Sequence, residues 1–307
     1  MNGVLTAFAI IGALIGAGYL ATRFGLLTVE QGPLLNRIAF YVFSPALLLS
    51  VLAKTEVSEI FSPVIVVVMI TSLATAALFV LLSRIFFPRN LGDTTMGIAG
   101  SIYLNSNNIG LPVSLFVLGD LTYFAPLLML QIVLFLPLIL GVLEVSRGQG
   151  KSVRKILAST LFTPLILASV AGLLLSLSNI DIPDIIMEPL TTMGGAAVPL
   201  LLFSYGVSLR GQKVFHADGD RPVSLTATTL KVAAMPVIAY VVGNFVFHLA
   251  PHELFAAVIL ASLPTAQNIY TYASVYKAEV FATRDVVFTT TIISLPLMFL
   301  IAALMSA

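Results

Sequence analysis

Two amide-rich runs punctuate this chain: Asn105-Ser-Asn-Asn-Ile-Gly-Leu-Pro112 and Pro264-Thr-Ala-Gln-Asn-Ile-Tyr270. Asn, Gln and Thr supply uncharged donors and acceptors, and Pro and Gly interrupt the hydrogen-bond ladder of a helix. Each run lies inside a hydrophobic stretch. Irregular backbone survives at membrane depth only where protein buries it or where it lines a water-filled cavity. The chemistry expected is noncovalent recognition of a small solute. A half-helix N-terminus carries about +0.5 of an elementary charge and unpaired N–H donors, which favours an anion such as a carboxylate. The half-helix C-termini offer carbonyls to a cation. The candidate site comprises Asn105, Asn107, Asn108, Gly110 and Pro112 from the first run, and Pro264, Thr265, Gln267 and Asn268 from the second. Taken singly, a membrane proline reads as a kink and one Asn as interhelical glue; the matched pair points to a site.

Lys231 completes the set. It lies about eight residues, or ~12 Å, into its span, where an ammonium must snorkel, pair or face water. Facing the crossing, it would supply positive charge to the substrate or exchange protons. Arg37, only a few residues inside its span, is expected to snorkel. No Asp or Glu lies at the middle of a span, which argues against a sodium/proton exchanger built on paired carboxylates and against an aspartyl protease. His216, His248 and His252 fall near loops, and Pro251 interrupts the spacing of the last two. No catalytic residues, metal ligands or nucleotide-binding loop emerge, so neither an enzyme nor ATP-driven transport is expected.

The elements that must position these residues are hydrophobic spans. Of 307 residues, 59% are hydrophobic and only 9% charged, against roughly 25% charged in a soluble domain. The fold class is therefore an all-α polytopic membrane protein. Ten spans are expected, roughly at 3–22, 33–53, 62–86, 93–118, 122–145, 155–177, 186–208, 223–249, 253–276 and 284–306. The first lacks a basic leader and reads as a retained helix. There is no Cys, and the stretch from Arg210 to Arg221 reads as a solvated turn. Twelve of the fifteen Lys and Arg residues fall in odd-numbered loops, which places those loops in the cytoplasm and both termini outside.

Five spans per half give the halves opposite topology. Phe43-Ser-Pro-Ala-Leu-Leu-Leu-Ser is echoed by Ala197-Val-Pro-Leu-Leu-Leu-Phe-Ser, and Asn107-Asn-Ile by Gln267-Asn-Ile. Pro45 and Pro199 stand 154 residues apart, Asn108 and Asn268 160 apart. The expected organisation is an inverted repeat, 1–150 and 151–307, with spans 4 and 9 broken and crossing. In span 4 the first half should end near Leu104 and the second begin with Pro112 at its first helical position.

Asn36-Arg37-Ile-Ala-Phe with Pro45, Asn105–Pro112, and Pro264–Tyr276 resemble the auxin efflux carrier family of permeases, over essentially all ten spans. That family includes plant auxin carriers and bacterial carriers for malate or malonate. The resemblance implies a fold similar to the bile acid sodium symporters. Spans 1, 2, 6 and 7 would form a scaffold and homodimer interface, and spans 3–5 and 8–10 a mobile transport domain. Unlike the plant carriers, this chain has only a short basic connection between spans 5 and 6. The expected function is secondary transport or uniport of a small organic anion across the inner membrane by elevator-like alternating access. No cofactor or nucleic acid partner is implied, and the coupling ion is left as H⁺ or Na⁺. The alternatives are a sodium-coupled symporter of the bile acid type and, more remotely, an intramembrane enzyme or receptor.

Overall fold

A computed structural model describes residues 2–54, 62–147, 162, 164–178, 182–209 and 221–305. The start of the expected sixth span and the turn from Arg210 to Asp220 lie outside them, as do the loop residues Lys151, Arg154, Lys155, Lys213 and His216. The described chain is helical. Its elements are α1 (Asn2–Arg23), α2 (Gln31–Leu52), α3 (Pro63–Phe86), α4 (Leu91–Ile102), α5 (106–118), α6 (Phe124–Ser146), α7 (Pro164–Ser178), α8 (Asp184–Leu209), α9 (Arg221–Val246), α10 (Pro251–Ala261), α11 (Gln267–Tyr276) and α12 (Val280–Met305). Among the described residues, α2, α3, α6, α8, α9 and α12 are long and apolar enough to cross a membrane. Shorter apolar helices include α7 and α10.

Prolines shape these helices in a recurring way. Of six wide turns of π-helix among the described residues, Ser114–Leu118 and Val242–Val246 have no proline two residues on, and the other four occupy Ala39–Phe43, Ser106–Gly110, Leu130–Phe135 and Leu230–Ala234. Each of these four ends two residues before a proline: Pro45, Pro112, Pro137 and Pro236. A proline has no N–H for the carbonyl four residues back, and its ring clashes with that carbonyl. Widening the preceding turn relieves both problems. Pro112 therefore does not open the second half of span 4. That half begins at Ser106, and the proline acts from inside it by opening the turn that holds Asn107 and Asn108.

The chain forms two compact units. The first contains residues 1–62, 107–129 and 158–212. Within it α8 packs along α1 and α2, and α7 packs on α2. Glycines bring these backbones together, as is common between membrane helices. A methyl group on Gly18 would collide with the Phe203 carbonyl, and one on Gly206 with that of Ile15. On α2, Leu47 meets Gly194, whose added Cβ would sit 2.7 Å from the Leu47 Cα. Arg37 is exposed, with its guanidinium 6.0 Å from the Tyr41 ring centre, as a snorkelling side chain would be.

The second unit contains residues 63–106, 130–157 and 213–307. One buried cluster joins α4, α6 and α11 through Met96, Tyr103, Phe135, Leu143 and Ile269. A second joins α3, α9 and α12 through Phe79, Val223, Leu230 and Val286. Gly97 leaves the space that the Phe79 ring fills.

Candidate functional site

Two unwound segments meet inside the second unit. Helix α4 ends at Ile102, and Tyr103 leaves the helix at φ −79°, ψ 112°. Helix α10 ends at Ala261 and its cap Ser262 (φ −84°, ψ −4°), and Ala266 is extended (φ −71°, ψ 140°) before α11 starts at Gln267. Leu104 and Thr265 form an antiparallel bridge. The Asn105 N–H donates to the Pro264 carbonyl at 2.7 Å, and the Ala266 N–H to the Tyr103 carbonyl at 3.1 Å. Pro264, which could not donate to a helix, accepts here instead.

Neighbouring helices satisfy the rest of the freed backbone. The Gln131 side chain on α6 donates to the Leu104 carbonyl at 3.0 Å and accepts from the Ser106 hydroxyl at 2.8 Å. The Thr265 N–H donates to Thr290 Oγ1 on α12 at 3.1 Å. Thr265 in turn donates its hydroxyl to the Gly100 carbonyl at 2.6 Å. Buried backbone groups left unpaired in lipid would each cost several kcal/mol, roughly; here side chains from α6 and α12 remove that cost. Thr265 has thus committed both donors to holding the crossing.

Gln267 and Asn268 stand at the start of α11, one half-buried and the other exposed. The Asn268 side chain also reaches the Tyr103 hydroxyl. Lys231 lies in the π-helical turn of α9 and is fully buried. That turn packs on α3, α4 and α12. Its ammonium donates to Met235 Sδ at 3.2 Å, and no carboxylate among the described residues pairs with it. One thioether satisfies little of an ammonium with three donors.

Of the residues singled out in the sequence, Asn105, Pro264, Thr265, Gln267, Asn268 and Lys231 belong to this one unit. Asn107, Asn108, Gly110 and Pro112 belong to the other, where Asn108, Gly110 and Pro112 are buried. Gln131 and Thr290 emerge only from the structure. Among the described residues, no group of three or more His, Asp or Glu side chains converges to hold a metal ion.

Comparison with known proteins adds the family. The model of the membrane transport protein family, Mem_trans, matches residues 4–156 and 146–302. A protein of Methanocaldococcus jannaschii named as an uncharacterized transporter is 25% identical over 297 residues, 92% of each chain. Another so named, from Methanothermobacter thermautotrophicus, is 25% identical over 301 residues, 96% of each chain. A Rhizobium meliloti protein named provisionally as a malonate transporter is 25% identical over 290 residues, 92% of this chain and 89% of its own. These matches, and helices apolar enough to cross a bilayer, mark the chain as an integral membrane transporter and not an enzyme. It belongs to the Mem_trans family of membrane transport proteins, the auxin efflux carrier family that its paired amide-and-proline motifs resemble.

Proposed function

We propose that this transporter is a secondary carrier or uniporter of a small organic anion, a monocarboxylate or dicarboxylate. The observation that carries the reading is Lys231, a fully buried amine whose partner among the described residues is the Met235 thioether, in the unit where the two unwound segments cross. A carboxylate bound beside such an amine would hold it protonated, so the position favours an anion over a cationic solute. The exposed Asn268 amide at the start of α11 supports it, because an amide there suits water or a polar ligand better than lipid. The name of the Rhizobium meliloti relative supports a dicarboxylate such as malonate.

In this reading Asn105, Gln267 and Asn268 hold the carboxylate, and transport also requires Asn107 and Asn108. Gly110, Pro112, Pro264 and Thr265 keep the helices open, and Lys231 supplies the counter-charge. Ten spans form the inverted repeat, both termini face outward from the inner membrane, and the chain works as a homodimer. Spans 1, 2, 6 and 7 serve as scaffold, and spans 3–5 and 8–10 as the moving body of an elevator.

Melting of the purified protein with malonate, malate or indole-3-acetate, at varied pH and sodium, tests this. A ligand of the native state raises the midpoint by mass action. Malonate should do so, and Lys231→Met should lose the shift, since a charge-assisted hydrogen bond of ~1.5–3 kcal/mol corresponds to about 10–100-fold in affinity. Equal shifts in wild type and variant would refute the role of Lys231. A sodium-dependent shift would identify Na⁺ as the coupling ion, and a pH-dependent one without sodium, H⁺.

A further inference from the structure

The second unit carries a groove unconnected with the crossing chemistry. It encloses about 570 Å³ and is lined only by α3, α4, α6 and the turn joining α3 to α4. Leu73, Ile102 and Phe135 line one end; Arg84 and Arg89 line the other, with Ser83 and Thr94 beside them. Every charged residue on its wall is an arginine. Along α3, the eleven residues from Leu73 to Arg84 span ~16 Å, so apolar depth and positive mouth are separated by roughly half a bilayer core.

We propose that this groove holds one anionic phospholipid, an acyl chain lying toward Leu73 and Phe135 and the phosphate at Arg84 and Arg89. The rim supports a lipid occupant: Leu73, Leu91 and Leu138 are about half exposed, and in an integral membrane protein such side chains meet acyl chains. The mouth supports an anionic headgroup. The Arg84 guanidinium is exposed and has no carboxylate partner among the described residues. Arg89 is anchored at the mouth by Glu279, whose carboxylate lies 3.7 Å from its Nε and is not part of the groove wall. Basic residues at a helix end, above an apolar slot between helices, match the charge order of a phospholipid. The α3–α4 turn is cytoplasmic by the distribution of Lys and Arg, so the lipid belongs to that leaflet. The inference does not depend on which anion is carried.

The test uses the whole protein in neutral detergent, titrated with dioleoyl phosphatidylglycerol or dioleoyl phosphatidylcholine and read by native mass spectrometry and melting midpoint. Wild type should prefer phosphatidylglycerol by at least about fivefold per engaged arginine. Arg84→Gln should reduce that preference by about fivefold while phosphatidylcholine binding is unchanged. Ala76→Phe, which fills the slot and keeps both arginines, should weaken both lipids. Equal binding of the two lipids to wild type would overturn the proposal, as would undiminished preference in Arg84→Gln. If Ala76→Phe fails to fold, Arg84→Gln decides alone, because it alters an exposed side chain.

Discussion

At the residue scale, the crossing depends on a few side chains that give hydrogen bonds to unwound backbone. Thr290 is the clearest case: its hydroxyl accepts the Thr265 N–H and donates back to the Val286 carbonyl at 2.7 Å. Thr290→Val keeps the shape and leaves a buried N–H without an acceptor. It should destabilise the protein by ~1–3 kcal/mol, seen as a lower melting midpoint, and Thr290→Ser should stay near wild type. Glu279 makes a separate pH-dependent contribution in the turn between α11 and α12. Burial and the neighbouring Asp93 push its carboxyl up to about 6, against the ordinary 4.5, while Arg89 opposes the shift. The native state therefore keeps a proton that the unfolded chain has lost, and stability falls as pH rises from about 4.5 to about 6. Glu279→Gln should raise the midpoint above that window by a modest amount, ~2 °C, since partial exposure of Arg89 screens the pair. The gain should vanish below pH 4.5.

At the element scale, prolines open the turns that present polar groups. The π-helical turns ahead of Pro112, Pro137 and Pro236 hold Asn107 and Asn108, Gln131, and Lys231. Restoring the N–H with Pro236→Ala should let the turn close to regular α-helix and rotate Lys231 by up to ~100°. The variant should melt no lower than wild type and lose most of its transport; full transport would separate the turn from the site. The interruptions themselves were legible in the sequence, because prolines and amides inside apolar runs have few physical readings. Gln131 and Thr290 were not. Each looks like an ordinary polar residue in an apolar helix until the crossing shows which carbonyl or N–H it serves. A polar residue four to six positions before an in-span proline is the local signal that would have flagged Asn108, Lys231 and Gln131 together. The role of Pro112 was misplaced because the sequence suggests a proline at a helix start, whereas the chain regains helix six residues earlier through the wide turn at Ser106.

At the scale of the whole molecule, the composition and the family agree on a membrane transporter, and the backbone pairing of Leu104 with Thr265 supplies the physical centre of the account. Two helices stop and pair across that bridge, and the proposed function assigns the amides at the start of α11 and Lys231 of α9 to the solute. The expected inverted repeat rests on the echo of Pro45 in Pro199 and of Asn108 in Asn268, and the proposed division into scaffold and moving body rests on the family resemblance. The most direct test of the central claim is uptake of radiolabelled malonate into proteoliposomes by wild type and by the double variant Asn108→Ala/Asn268→Ala. Wild type should accumulate label above empty vesicles, and the variant should fall to their level while keeping a native melting transition. Uptake by the folded variant at the wild-type rate would contradict the account.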